Sequence, residues 1–520
     1  MAYNRQNFFV FCYSFVLFCH DYHCFLLFVT FMATRNHRKL LIQSWFIASQ
    51  RCLTESPPAW LFFPPPQGYF EFQYVAAALR VVADYFLKIQ APLSHCTSNF
   101  PHENPHFPEA RPHVHAALER LLRQTTYRKI DIDNFLNPLG NSWSSFDPEL
   151  GYLPRTVVMQ DGIDGSHSSY TYPAGGWRKM IQAADQPCRI NTYGNSYAQC
   201  QQVSDGETWQ EALAAHFGEP LRNFGVGGYG VHQACRRARR MESGKAGAPY
   251  LILNIYDDDH VRNLDATRWV RTFADAAPPP PDRPIMLHGI PWTHVRFDLT
   301  TSRFVDQPGP CPNEAALRAL CDPEHYIRLF ARDQIVRMFM VERGAEPPAA
   351  DLKEFESLAE ALGISVDLRT PATRRTEMRR LRLQVGIRAT EHILTETQSW
   401  LATLGRRLLI LLTYRESFVV DAINAKPRTD QHLLDFLVRR NIPFVDTRDL
   451  HIADYAAYRL SPEAYITRFY IPPCAAAVFG HYTPLANAWF AHAIKPAVLN
   501  WLTPPPPAYR PPDACRPPER

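Results

Sequence analysis

The sequence predicts an α/β fold, a three-layer αβα sandwich around a mainly parallel sheet of five strands. Three observations carry this. Short apolar segments of strand length recur between residues 189 and 446, and the first of them are followed by glycine-rich or acidic turns. Segments whose apolar residues fall at helical spacing lie between them. Strands alternating with helices in this way build a parallel sheet covered on both faces.

The first strand, 189–193, ends abruptly at Gly194-Asn195-Ser196. Ser204-Asp205-Gly206-Glu207 has the form of a capping box ahead of Trp209, Leu213 and Phe217, and Gly218 stops that helix. Residues 221–226 form the second strand, and 232–240 are helix-compatible. Tyr250–Tyr256 is a continuous apolar run of the kind found in parallel strands buried on both sides. Arg407–Thr413 and 442–446 repeat the pattern around an amphipathic helix at 432–439, and 486–499 reads as a closing helix. Ligands of such sheets lie at the carboxyl ends of the strands. Ser196, the turn Gly225-Val226-Gly227-Gly228, the triplet Asp257-Asp258-Asp259 and His481 all fall on that edge.

The 520 residues exceed what one compact core usually holds. Composition divides them into a hydrophobic and basic extension (1–50), an accessory region (51–187), two halves of the core (188–265 and 405–502), a mainly helical insertion (266–404) and a proline-rich tail (503–520) expected to be disordered. A hairpin at 295–299 and 304–306 opens the insertion; helices follow from 314 to 404, broken at Pro347-Pro348 and Pro371. Segment 146–178 reads as turns and short strands of a small β-rich module.

Two aromatic-rich apolar runs, 8–18 and 25–32, are each too short to span a bilayer. Joined they reach about 20 residues, but Asp21 near the middle opposes insertion. Residues 1–31 are therefore expected to be a non-functional extension and a cytoplasmic location is favoured, with a membrane anchor or export signal as the alternatives. A net charge of +4 over this length is too weak to point to nucleic acid. Arg236-Arg237-Ala238-Arg239-Arg240, and Arg374-Arg375 through Arg379-Arg380, read as solvated helix faces, phosphate binding being the lesser reading. The 12 cysteines contain no Cys-x-x-Cys pair, which speaks against a zinc or redox motif. Cys311 and Cys321 are close enough in sequence to pair in an oxidising compartment.

A serine hydroxyl on a strand-to-helix turn becomes a nucleophile once a base takes its proton, and His481 is the candidate base for Ser196. The attacked carbonyl becomes an oxyanion that backbone N–H groups stabilise. Gly228, without a side chain, allows such an approach, and the Ser196 amide offers a second donor. The bland readings are that Ser196 caps a helix and that the glycines only make a tight turn. The three aspartates with His260 and His288 permit a metal reading, disfavoured because adjacent carboxylates on a turn diverge. No metal and no cofactor is expected.

On these residues the chain resembles the SGNH hydrolases, also called GDSL esterases and lipases, over 188–262 and 405–502. Gly194-Asn195-Ser196 stands where the family has Gly-Asp-Ser, and Asn223-Phe224-Gly225-Val226-Gly227-Gly228 is similar to its second block. His481, in Gly480-His481-Tyr482-Thr483-Pro484, resembles the final block. The resemblance implies a flavodoxin-like fold and an esterase cleaving an acyl or acetyl ester through an acyl-enzyme, with Ser196 as nucleophile and His481 as base.

Two positions depart from the pattern. Where the third block offers an asparagine amide this chain has Asp258, so either a protonated Asp258 carboxyl or another group such as Asn223 or Asn254 stands in for it, or the third donor is missing. Where an aspartate precedes the histidine it has Val478 and Phe479, so the triad acid is sought at Asp446 or Asp449, with a Ser-His dyad as the alternative. An acyltransferase on a carbohydrate-type acceptor and a non-catalytic binding protein with a degenerate triad are the competing readings. The expected partner is a small-molecule or carbohydrate ester.

Overall fold

In a computed structural model of the protein, residues 114–140, 142–276, 278–287, 289–472 and 480–506 are described, together with six strands between Phe8 and Glu71. The chain divides into two compact units, 1–107 and 108–520. The first holds an antiparallel sheet of Phe8–Cys12, Val16–His20, His23–Thr34, Lys39–Gln50, Leu61–Phe62 and Phe70–Glu71. The described residues of both amino-terminal apolar runs, 8–12 with 16–18 and 25–32, fall on strands, which their many phenylalanines favour. No helix among the described residues is long and apolar enough to cross a membrane.

The second unit is built on five parallel strands, β1 (Ile190–Tyr193), β2 (Leu221–Asn223), β3 (Tyr250–Tyr256), β4 (Arg407–Thr413) and β5 (Phe444–Asp446). Their spatial order is β2-β1-β3-β4-β5. All seven residues of β3 are buried, as a central strand with both faces covered requires. Helices α1 (Trp209–Phe217) and α2 (Pro484–Trp501) pack together as one layer. Helix α3 (Val231–Glu242), the 30-residue α4 (Arg374–Thr403) and α5 (Gln431–Arg439) form the other. The order reverses between β1 and β3, and in open sheets of this kind the carboxyl edge at such a reversal is where ligands bind.

Several elements differ in detail from the sequence reading. β2 stops at Asn223, although Phe224 and Val226 still donate to the carbonyls of Thr192 and Gly194, at 2.8 and 3.0 Å. β5 starts only at Phe444, because Pro443 has no N–H to give the ladder. The capping box at Ser204 closes a 3-10 turn, Asp205–Glu207, and Thr208 caps α1 instead. The insertion has the expected hairpin, His294–Asp298 with Arg303–Gln307, followed by Glu314–Ala319, Pro323–Phe330, Gln334–Glu342, Ala349–Ala361 and α4. The accessory region carries two small antiparallel sheets and also two unanticipated helices, Val114–Gln124 and Lys129–Leu136. Cys311 and Cys321 are free thiols. The arginine runs are not uniformly solvated: Arg237 and Arg374 are buried, the latter against Glu346.

Candidate active site

β1 ends at Gly194 because the chain there passes within 2.6 Å of the Asn254 carbonyl, measured from where a Cβ would stand, at a φ of +144°. Asn195 then caps the one-turn helix Ser196–Gln199, its Oδ1 accepting from the Tyr197 amide at 2.7 Å. The cap is Asn195, not Ser196. Its Nδ2 donates to Asp259 at 2.5 Å and so ties the serine turn to the residues that follow β3. Ser196 occupies the first helical position, largely buried, with its hydroxyl hydrogen-bonded to none of the described residues. Left-handed Cys200 (φ +58°) and Gln202 (φ +70°) turn the chain back after one turn of helix.

His481 reaches this turn from the far end of the chain. Residues 469–471 pair with 481–483, Ile471 donating to the His481 carbonyl and Thr483 to that of Phe469, both at 2.8 Å. The imidazole lies 5.3 Å, centroid to centroid, from the ring of Tyr197, the neighbour of Ser196. Its Nδ1 meets Gln202 Oε1 at 2.7 Å, and the same oxygen accepts the His481 backbone N–H at 2.8 Å. Gln202 is oriented in turn by its Nε2, which donates to the Asp161 carbonyl at 3.0 Å. With an amide oxygen facing it, Nδ1 carries the proton and Nε2 is the basic nitrogen. Val478 and Phe479 lie outside the described residues.

The glycine turn after β2 has one amide to spare. The N–H groups of Phe224, Gly225, Val226, Gly227, Tyr229 and Gly230 each find an acceptor, whereas none is found for Gly228 among the described residues. Gly228 has a φ of +82°, and a Cβ there would stand 2.5 Å from the Tyr152 hydroxyl and 2.7 Å from an Arg268 nitrogen. Burial pulls the Arg268 guanidinium down to about 10.

The carboxylates are engaged elsewhere. Asp258 accepts from Arg262 at 2.9 Å and Arg271 at 3.0 Å. Burial would raise its pKa, but Arg271, Arg262 and Arg268 hold it well below the ordinary carboxylate range. It is therefore ionised, and the protonated Asp258 considered as an oxyanion donor is corrected on that ground. Asp257 pairs with Arg415; Asp259, pushed up to about 7 by burial, accepts from Asn195, Tyr256 and Arg262.

Asp446 caps the helix Thr447–Tyr455 and bonds Arg428 at 2.7 Å, and Asp449 stands in the first turn of that helix. Neither hydrogen-bonds His481. Asn223 spends its amide on the Gln199 carbonyl and its oxygen on the Gly225 N–H, positioning the glycine turn. Asn254 accepts from Thr413, and its buried Nδ2 has no partner among the described residues.

His260 Nδ1 bonds Thr390, His288 lies outside the described residues, and among the described residues no group of three or more metal-type side chains is gathered. Gln202 was not singled out from the sequence. Glutamine carries no catalytic signature, and its partner lies 279 residues away.

No protein-family model matches the chain, and no curated protein matches it. What stands at the carboxyl edge is a hydroxyl, an oriented imidazole beside its neighbouring residue, and a backbone amide with no acceptor among the described residues. Together they suit proton abstraction from an oxygen nucleophile and stabilisation of an oxyanion.

Proposed function

We propose that the protein is a serine esterase-type hydrolase of the SGNH kind, cleaving an acyl or acetyl ester through an acyl-enzyme. The observation that carries this reading is the convergence of His481 on Tyr197 and Gln202, one and six residues after Ser196 in the same reversal of the chain. The strand order β2-β1-β3-β4-β5, with that turn following β1 beside the reversal point of the sheet, supports a flavodoxin-like reading of the core.

In this reading His481 Nε2 takes the Ser196 proton as Oγ attacks the ester carbonyl, and the Gly228 and Ser196 amides hold the oxyanion. The imidazolium then returns its proton to the leaving alcohol. Water, activated by the same imidazole, releases the acid; an alcohol acceptor such as a carbohydrate hydroxyl in its place makes the protein an acyltransferase. Gln202 does half the work of a triad acid. It fixes the tautomer and ring orientation but brings no negative charge to the imidazolium, so turnover is slow.

That neutral partner also favours a second reading, a binding protein on the same scaffold that retains the pocket without the chemistry. Turnover of p-nitrophenyl acetate separates the two. Hydrolysis lost on Ser196→Ala and on His481→Ala supports the esterase; equal background rates in all three proteins favour the binding protein.

A further inference from the structure

Helix α3 presents three arginines to the accessory region, and two are matched. Arg236 bonds Glu149, and Arg240 bonds Asp147 and Glu149. Arg237 between them is 2% exposed and makes no ion pair among the described residues. Its Nη2 donates to the Gly176 carbonyl at 2.5 Å, while Nε and Nη1 are buried without a partner among the described residues. The guanidinium instead faces the Phe224 ring at 5.7 Å, and burial pulls it below the ordinary arginine value. A buried cation left without a counter-charge is costly, and proteins rarely keep one that nothing neutralises.

Arg237 lines a cavity of ≈ 440 Å³ together with Arg155, Thr156, Tyr172 and Ser145, and no acidic residue lines it. Arg155 likewise makes no ion pair among the described residues; it donates to the carbonyls of Asn137 and Pro138. The Tyr172 hydroxyl accepts from Gln199 Nε2 at 2.7 Å, which leaves its own proton to donate. Two uncompensated guanidinium groups with the Tyr172 hydroxyl beside them are a donor set that binds a tetrahedral oxyanion; the Ser145 and Thr156 hydroxyls already donate to the carbonyls of Leu153 and Tyr172. The volume admits a small organic molecule as well as a free ion.

We propose that this cavity is a binding site for a phosphate group, free or carried on a small organic molecule, with Arg155 and Arg237 as its cationic walls. It is separate from the Ser196 turn and does not depend on the esterase reading. One side chain joins the two places: Gln199, which bonds Tyr172 through Nε2, accepts the Gly227 N–H at its Oε1.

The test is calorimetric titration of the full chain with inorganic phosphate, and in parallel with a simple phosphomonoester, at constant ionic strength with chloride as the control. The expected result is saturable one-site binding of one or both, weakened about tenfold or more by Arg155→Gln and by Arg237→Gln and unchanged by Ser196→Ala. Tighter binding of the phosphomonoester assigns an organic ligand, and equal binding the free ion. Arg155→Gln keeps the test valid if Arg237→Gln fails to fold, because Arg155 holds only two loop carbonyls. Absence of saturable binding, affinity untouched by Arg155→Gln, or loss of binding in Ser196→Ala overturns the proposal.

Discussion

The side-chain oxygen of Gln202 accepts two hydrogen bonds from His481, one from ring Nδ1 at 2.7 Å and one from the backbone N–H at 2.8 Å. An amide therefore stands where the proposed chemistry calls for a carboxylate. Gln202→Ala removes the orientation, and the esterase activity is expected to fall by about 100-fold or more, given what an orienting partner contributes to a triad. Gln202→Glu adds a charge that stabilises the imidazolium, so the acid limb of the pH–rate profile moves to higher pH. A profile that stays put in Gln202→Glu, in a protein that melts normally, argues against His481 as the base.

Gly228 combines a left-handed backbone with close neighbours at the position of a Cβ, the Tyr152 hydroxyl at 2.5 Å and an Arg268 nitrogen at 2.7 Å. Gly228→Ala is expected to cost about 1–3 kcal/mol of stability from backbone strain, and to displace the amide proposed to hold the oxyanion. Its kcat should fall more than its KM rises, because that amide acts in the transition state. Kinetics on the folded variant that change KM alone would place the Gly228 amide outside the chemistry.

Asp446 is committed to Arg428 and to the start of the helix Thr447–Tyr455 rather than to the imidazole. Asp446→Ala removes the cap of Thr447–Tyr455 and the partner of Arg428, so a loss of about 1 kcal/mol or more is expected in denaturant unfolding. The pH–rate profile should keep its shape. A drop in kcat comparable to that of Gln202→Ala, without loss of stability, would restore Asp446 as the orienting acid.

The core strands were legible because a parallel sheet covered on both faces writes itself as short apolar runs; β3 and β4 have the boundaries that their apolar runs give. Positions at the carboxyl edge were legible for the same reason, since topology alone places Ser196, Gly228 and the aspartates there. Their partners were not. Whether Asp258 carries a proton depends on Arg262 and Arg271 around it, and Asp446 looked like an acid near a histidine until Arg428 claimed it. Gln202 could not be read at all, because glutamine carries no catalytic signature and its role comes from a contact made by the carboxyl-terminal segment. The burial of Arg237 was hidden by its charged neighbours, which mimic a solvated face.

Sensitivity to acid follows from the buried histidines. Burial holds His451 down to about 3 and His260 to about 4, so the native chain resists protons that the unfolded chain takes up near its ordinary value of about 6.5. Their contribution is complete above about pH 6.5 and is lost as pH falls toward those lower values, at up to about 1.4 kcal/mol per pH unit for each group. Asp259, raised to about 7, works in the opposite sense, stability falling as pH rises from about 4 to 7. Comparing His451→Phe with the wild type cancels that contribution. Urea unfolding between pH 6.5 and 5 should give a shallower loss of stability in the variant, and identical slopes would mean that His451 is not held neutral.

The central claim, that Ser196 is an activated nucleophile, is tested most directly by labelling the folded protein with a fluorophosphonate and mapping the adduct by mass spectrometry. The expected result is a single adduct on Ser196, absent from Ser196→Ala and strongly slowed in His481→Ala. A folded wild-type protein that forms no adduct on Ser196, or one labelled equally fast without His481, contradicts it.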